Sequence, residues 1–226
     1  SQKFVNHLPA HTTVVSVNST ISRHFETAEK FPVTDVYYGI LNDQHYFPPQ
    51  QPRDSETIRF CMLGDLDSDW KGSDVGIEAF LALPEEIAQH AELHLAAFAN
   101  NPPDVDDPRI HVHQWIDRDK VGDFLRDMDI MLALSRDLGR MMETFCQTMV
   151  QGMLCSLPVI TTPLEILTEK LDEGGGRVTD GPDSLVKAMV EFSQNIELRQ
   201  EQGAIAHHVA KERYVWNSEY FMEKYG

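Results

Sequence analysis

The sequence has no apolar run approaching the roughly 18 residues that a membrane span needs, and its first residues lack the basic-then-apolar layout of a secretory signal. The expectation is a soluble, cytoplasmic protein. Cysteine is scarce. Cys61, Cys146 and Cys155 form no C-x-x-C pair and cannot all pair within one chain, so buried thiols in a reducing compartment are expected. Cations are in deficit: 19 Lys and Arg against 36 Asp and Glu leave a net charge of -17. That balance works against nucleic acid or an anionic membrane as partner, because both present phosphates of the same sign. G-x-S-x-G, P-loop and G-x-G-x-x-G signatures are all missing, which lowers acyl transfer, nucleotide hydrolysis by a P-loop and dinucleotide oxidoreduction as readings. His111 and His113 alternate on a strand and share a face. With no second cluster in view, they form an incomplete ligand set, and no metal is expected. His207 and His208 are adjacent on a late helix and do not share a face. Trp115 and Trp216 read as packing residues.

What is present is an alternation of β-rich apolar runs with helical patterns. Strands are expected over 13–17 (TVVSV), 35–38, 58–63 (IRFCML), 93–98, 110–112, 129–134, 158–161 (PVIT) and after the Gly-rich turn at 174–178. Helices are expected over 19–30, 73–83, 117–128, 143–154, 184–193 and 196–212. Prolines 48, 49 and 52 punctuate a turn-rich stretch over 39–57, a natural boundary. Strands alternating with helices imply βαβ units and a mainly parallel α/β sheet. Such sheets bind ligands beyond the carboxyl ends of their strands. Attention therefore falls on the loops after Leu63, after Leu134 and after Thr161.

The landmarks come in a telling order. LGDLDSDWKGSDVGIEAF carries Gly64, Lys71, Gly72 and Glu78-Ala79-Phe80, and METFCQTMVQGMLCSLPVIT carries Glu143, Phe145, Gln151 and Pro158-Val159. Upstream stands YYGILNDQHYFPP, and the tail holds Trp216 and Tyr220. From Thr13 to Tyr225 this arrangement resembles the C-terminal, donor-binding domain of family four glycosyltransferases (glycosyl transferases group one), which have the GT-B fold. The resemblance implies a Rossmann-like three-layer domain forming the C-terminal half of that fold. Residues 1–38 would be the last strand-helix unit and linker of an otherwise absent N-terminal domain. Residues 39–212 would bind a nucleotide-sugar, and 213–226 would be the closing helix. The chain would then be a fragment, or a protein that has lost its partner domain.

By the same resemblance, Gly64, Lys71, Glu143, Thr144, Phe145 and Gln151 would hold the nucleotide-sugar donor of a retaining enzyme. A hexose would pass to a glycan or lipid-linked acceptor through the missing domain, with no cofactor or metal. The chemistry suits the residue types. A diphosphate favours a cation and helix N-termini, which Lys71 and the amides after Glu143 would supply. Glu143 would accept from sugar hydroxyls. Gln151 stands in the place of the family's ribose-binding Glu, and eight helical residues from 143 to 151 advance about 12 Å. Two departures weaken turnover. An amide replaces the carboxylate at Gln151, and Asp65 replaces the family's Arg after the strand glycine. A misplaced unit charge at ~5 Å and an effective dielectric near 20 costs roughly 3 kcal/mol, more than a hundredfold in rate. Arg136 and Arg140 are the candidates to substitute. A non-catalytic, scaffold-like domain is the alternative of a different class, and a GT-B-like sugar-nucleotide epimerase is a third, for which no acid–base set is evident.

Overall fold

A computed structural model of the chain describes residues 14–18, 22–23, 33–34, 39–51, 55–97, 103–139 and 143–225. Contacts separate two units, one holding Ile40–Val215 and the other Ser1–Gly39 with Trp216–Gly226. In the smaller unit, strands β1 (Val14–Val15) and β2 (Val33–Thr34) pair in parallel with Val14 opposite Val33. A helix over Ser218–Tyr225 is preceded by Asn217, whose Oδ1 accepts from the Tyr220 amide at 3.0 Å. The strand expected over 35–38 and most of the helix expected over 19–30 lie outside the described residues.

The larger unit is built on six strands: β3 (Ile58–Gly64), β4 (Ala91–Ala97), β5 (Ile110–His113), β6 (Ile130–Ala133), β7 (Val159–Thr161) and β8 (Gly176–Val178). Every pairing is parallel, in the order β5-β4-β3-β6-β7-β8. Central parallel strands are covered on both faces and so read as continuous apolar runs. Along β3, Phe60 and Met62 enter one core while Cys61 and Leu63 enter the other, as the two-residue period dictates. Helices supply the outer layers. α1 (Ser73–Leu81) adds Ala79 and Phe80 to the first core, whereas α4 (Gln147–Leu154) adds Met149, Val150, Met153 and Leu154 to the second. Between them in sequence lie α2 (Glu85–Ala88) and α3 (Val121–Arg126).

After α5 (Glu165–Thr168) come α6 (Pro182–Gln194) and α7 (Ile196–Arg213). Pro182 opens α6, where its missing N–H breaks no helical bond. Leu185, Ala188, Met189 and Phe192 then form one buried stripe at helical spacing. Burying Phe192 alone contributes about 2–3 kcal/mol. Asn195 caps α7 by accepting from the Leu198 amide at 2.9 Å.

The structure corrects three expectations. The helix expected over 143–154 begins only at Gln147, because Cys146 takes a left-handed conformation (φ 58°) and Glu143 folds back onto the amides that follow it. The helix expected over 117–128 is confined to Val121–Arg126. The short helices α2 and α5 were not anticipated, since four residues are too few to show a period.

Candidate functional site

The strand order reverses direction between β3 and β6. Connections from β3 run outward to β4 and β5, and those from β6 run outward to β7 and β8. The helices that follow these two strands, α1 and α4, pack on opposite faces of the sheet. The chain thus leaves β3 and β6 toward opposite faces of the sheet, and the crevice of such a switch point lies at the strands' carboxyl ends. Gly64 closes β3 there, and Leu134 and Ser135 follow β6.

The two loops are laced together. Asp69–Lys71 forms a single 3-10 turn that ends on Gly72 in the left-handed region (φ 70°). A side-chain carbon on Gly72 would fall 2.3 Å from the Leu134 carbonyl oxygen, so only glycine lets this turn lie against the end of β6. The Arg136 amide donates to the Trp70 carbonyl at 2.8 Å, and its guanidinium Nε donates to the Asp69 carbonyl at 2.9 Å. Arg136 Nη2 also binds both oxygens of Asp74, at 2.8 and 2.7 Å.

At the centre of this arrangement, Lys71 Nζ donates to Glu143 Oε2 at 2.6 Å. Both side chains are largely buried, at 15% and 8% exposed. The Ser135 hydroxyl donates to the same oxygen at 3.2 Å. Glu143 Oε1 accepts from the Thr144 amide at 3.2 Å and the Cys146 amide at 3.0 Å. Burial by itself would raise the Glu143 carboxyl. The Lys71 charge and these hydrogen bonds more than offset it and hold the group below its ordinary value. Lys71 Nζ also lies 4.3 Å from the centroid of the Trp70 ring.

Gly64 shares the site: a side-chain carbon there would stand 3.9 Å from Lys71 Cε. Phe145 is buried with its ring edge-on to Tyr214, at 5.9 Å between centroids. Gln151 is buried on α4, where its amide donates to the Tyr46 hydroxyl at 2.9 Å. Because the helix starts at Gln147, an eight-residue helical advance from Glu143 to Gln151 does not exist. Asp65 is exposed. The hydrogen bond from the Ser68 hydroxyl, at 2.7 Å, is the leading cause that holds its carboxyl below the ordinary value. Of the two arginines considered as its substitute, Arg136 is engaged with Asp74 and Asp69, and Arg140 lies outside the described residues.

Sequence reasoning missed Ser135, Tyr46 and Lys170. Ser135 follows the β6 strand directly, so its place at the crevice could have been read from the pattern. Lys170 carried no signal, lying in a stretch rich in charge. It is fully buried, donates to the Ile166 carbonyl at 2.7 Å, and sits 5.0 Å from the ring centroids of both Phe145 and Tyr214. Burial pushes its ammonium below the ordinary lysine value.

A doubly wound parallel sheet with its crevice at the β3/β6 switch point defines a Rossmann-like domain. The chain belongs to the glycosyl transferases group 1 family, whose model matches residues 57–195. Among solved structures it is similar to a sucrose-phosphate synthase from Thermosynechococcus elongatus (14% identity, TM-score 0.77), covering 99% of this chain and 59% of that one. HepE from Anabaena, in complex with UDP and glucose, aligns with 17% identity and a TM-score of 0.68 over 94% of this chain and 61% of its own. The C-terminal domain of the group 1 glycosyltransferase LpcC from Francisella tularensis aligns with 16% identity and a TM-score of 0.64, over 79% of this chain and all (100%) of that domain. The chain thus spans about three-fifths of the sucrose-phosphate synthase and HepE chains. No curated protein sequence matches it significantly. The fold is the C-terminal half of a GT-B glycosyltransferase. No described helix is long and apolar enough to cross a membrane.

Proposed function

We propose that the crevice between the β3 and β6 loops binds the diphosphate of a nucleotide-sugar, as the donor-binding domain of a retaining glycosyltransferase. The hexose passes to a glycan or lipid-linked acceptor held by a further domain. The carrying observation is the Lys71–Glu143 pair at the switch point. Lys71 supplies positive charge to the leaving diphosphate without a metal, and Glu143 accepts from hydroxyls of the sugar. Lys71 and Glu143 neutralise each other where they meet, so donor binding exchanges one satisfied contact for two. The complex of HepE with UDP and glucose supports this reading, since its fold is shared.

A second reading has its own support. The exposed Asp65 adds negative charge near the phosphate position, Arg136 is committed to Asp74, and Gln151 is committed to Tyr46. A domain that binds nucleotide weakly, or serves as a partner-binding scaffold, fits those three facts.

Thermal unfolding with UDP and with GDP tests the first reading. A nucleotide present at 100 times its Kd stabilises by about 2.7 kcal/mol, and Lys71→Ala should abolish the shift. If neither nucleotide moves the wild-type Tm, donor binding is wrong and the scaffold reading gains.

A further inference from the structure

Strands β4 and β5 bring a second set of polar side chains together, on the sheet face that also carries Cys61. In register, His94 lies opposite His111 and Ala96 opposite His113, while Glu92 precedes His94 by two residues. Two-residue periodicity therefore raises Glu92, His94, His111 and His113 on one face. Their contacts form a chain. His94 Nε2 is 3.2 Å from Glu92 Oε2, and His94 Nδ1 is 3.1 Å from His113 Nε2. On the other side, His111 Nε2 is 3.9 Å from Glu92 Oε1. One donor atom from each of Glu92, His94 and His111 lies within 4.8 Å of the others.

We propose that Glu92, His94 and His111 form a binding site for a divalent transition-metal ion of the zinc class. Two imidazoles and a carboxylate are a set that zinc accepts, leaving a fourth position for water. Imidazole nitrogen selects against magnesium and calcium, which demand oxygen. Bonds of about 2.1 Å at tetrahedral angles place neighbouring ligand atoms about 3.4 Å apart. The contacts from Glu92 to His94, at 3.2 Å, and to His111, at 3.9 Å, lie near that value.

The surrounding contacts are those a metal site uses. With Nε2 on the ion, His94 carries its proton on Nδ1 and donates it to His113 Nε2, which fixes the ring. Arg59 Nε donates to Glu92 Oε2 at 3.0 Å and leaves Oε1 for the ion. His94 is buried beneath the other groups, which shields the inner side of the site from solvent. Arg59 also repels a cation, which sets the affinity below that of a closed structural site. His113 is a positioning residue here, whereas the other three touch the ion.

The test is a Co2+ titration of the full chain without an affinity tag, read by visible d–d absorption, with Tm measured in Zn2+ and in Mg2+. The wild type should bind one equivalent with tetrahedral or five-coordinate bands. Zn2+ should raise its Tm by at least about 3 °C and Mg2+ should not. His111→Ala alters a half-exposed side chain and so keeps the fold; it should abolish the bands, as should His94→Gln, while His208→Ala should retain them. His113→Gln should keep the stoichiometry and weaken binding ten- to a hundredfold. Absence of bands in the wild type, or bands unchanged in His111→Ala, would overturn the proposal.

Discussion

Lys71 and Glu143 stand 72 positions apart in sequence and meet at 2.6 Å, with the carboxylate also holding Ser135 and the amides of Thr144 and Cys146. This contact joins the loop after β3 to the loop after β6. It fastens the crevice mechanically as well as presenting charge to it. Stability and nucleotide binding should therefore respond together when it is cut.

Lys71→Ala leaves a largely buried carboxylate with three of its four donors. Loss of one charged hydrogen bond costs about 2 kcal/mol, which in a chain of this size lowers Tm by about 4–8 °C. Glu143→Gln strands the Lys71 ammonium instead. A double-mutant cycle over both positions, followed by urea unfolding, should return a coupling energy above about 1 kcal/mol. Additive losses would show that the pair is solvated in solution.

Acid should release the same contact. The folded Glu143 carboxyl lies below its unfolded value of about 4.3. Its stabilisation is therefore complete above that value and is lost as pH falls through the folded one. The stability gap between wild type and Glu143→Gln, measured by urea unfolding, should be constant from pH 7 to about 5.5 and shrink toward pH 3. A gap that widens on acidification would contradict the sign.

Gly72→Ala and Gly139→Ala separate backbone strain from close packing. Both glycines have φ near 70°, but a carbon on Gly139 meets nothing within 4 Å while one on Gly72 strikes the Leu134 carbonyl. Strain alone costs about 1 kcal/mol. Gly72→Ala should cost at least about 2 kcal/mol more than Gly139→Ala and should weaken UDP binding as well. Equal losses in chemical denaturation would place the β3 loop away from β6.

Asp65→Arg reverses an exposed charge near the proposed diphosphate. A gain of tenfold in affinity for UDP, about 1.4 kcal/mol, is expected by calorimetry. Adding Gln151→Glu restores a carboxylate within reach of the Tyr46 hydroxyl. If the double variant gains neither affinity nor transfer activity in the full-length protein, the scaffold reading is favoured.

The strands that proved legible were those buried on both faces. β6 (IMLA) is an unbroken apolar run, β3 is one from Phe60 to Leu63 and β7 is apolar up to Thr161, and glycine punctuation marked the end of β3 at Gly64. The polar edge strand β5, IHVH, was legible through its alternation. At the site, Lys71 and Glu143 were picked out by motif position, but the role of Glu143 as a cap on its own turn was not. Nothing local distinguishes a carboxylate that opens a helix from one that folds back four residues before it. Lys170 was illegible for a related reason. Its stretch is rich in charge, and only the closure of Phe145 and Tyr214 over it makes it a buried cation.

The sequence by itself determined the alternation of strand and helix, the two-sided core and the loops at which a ligand could sit. Each follows from spacings of two to four residues, which the covalent chain imposes. Tertiary structure alone decided that Lys71 meets Glu143, that Arg136 goes to Asp74, that Gln151 goes to Tyr46, and that His94 stands beside His111. Those pairings depend on strand register and on loops closing over 17 to 105 residues. Their energies come from packing and desolvation that no short window of sequence contains.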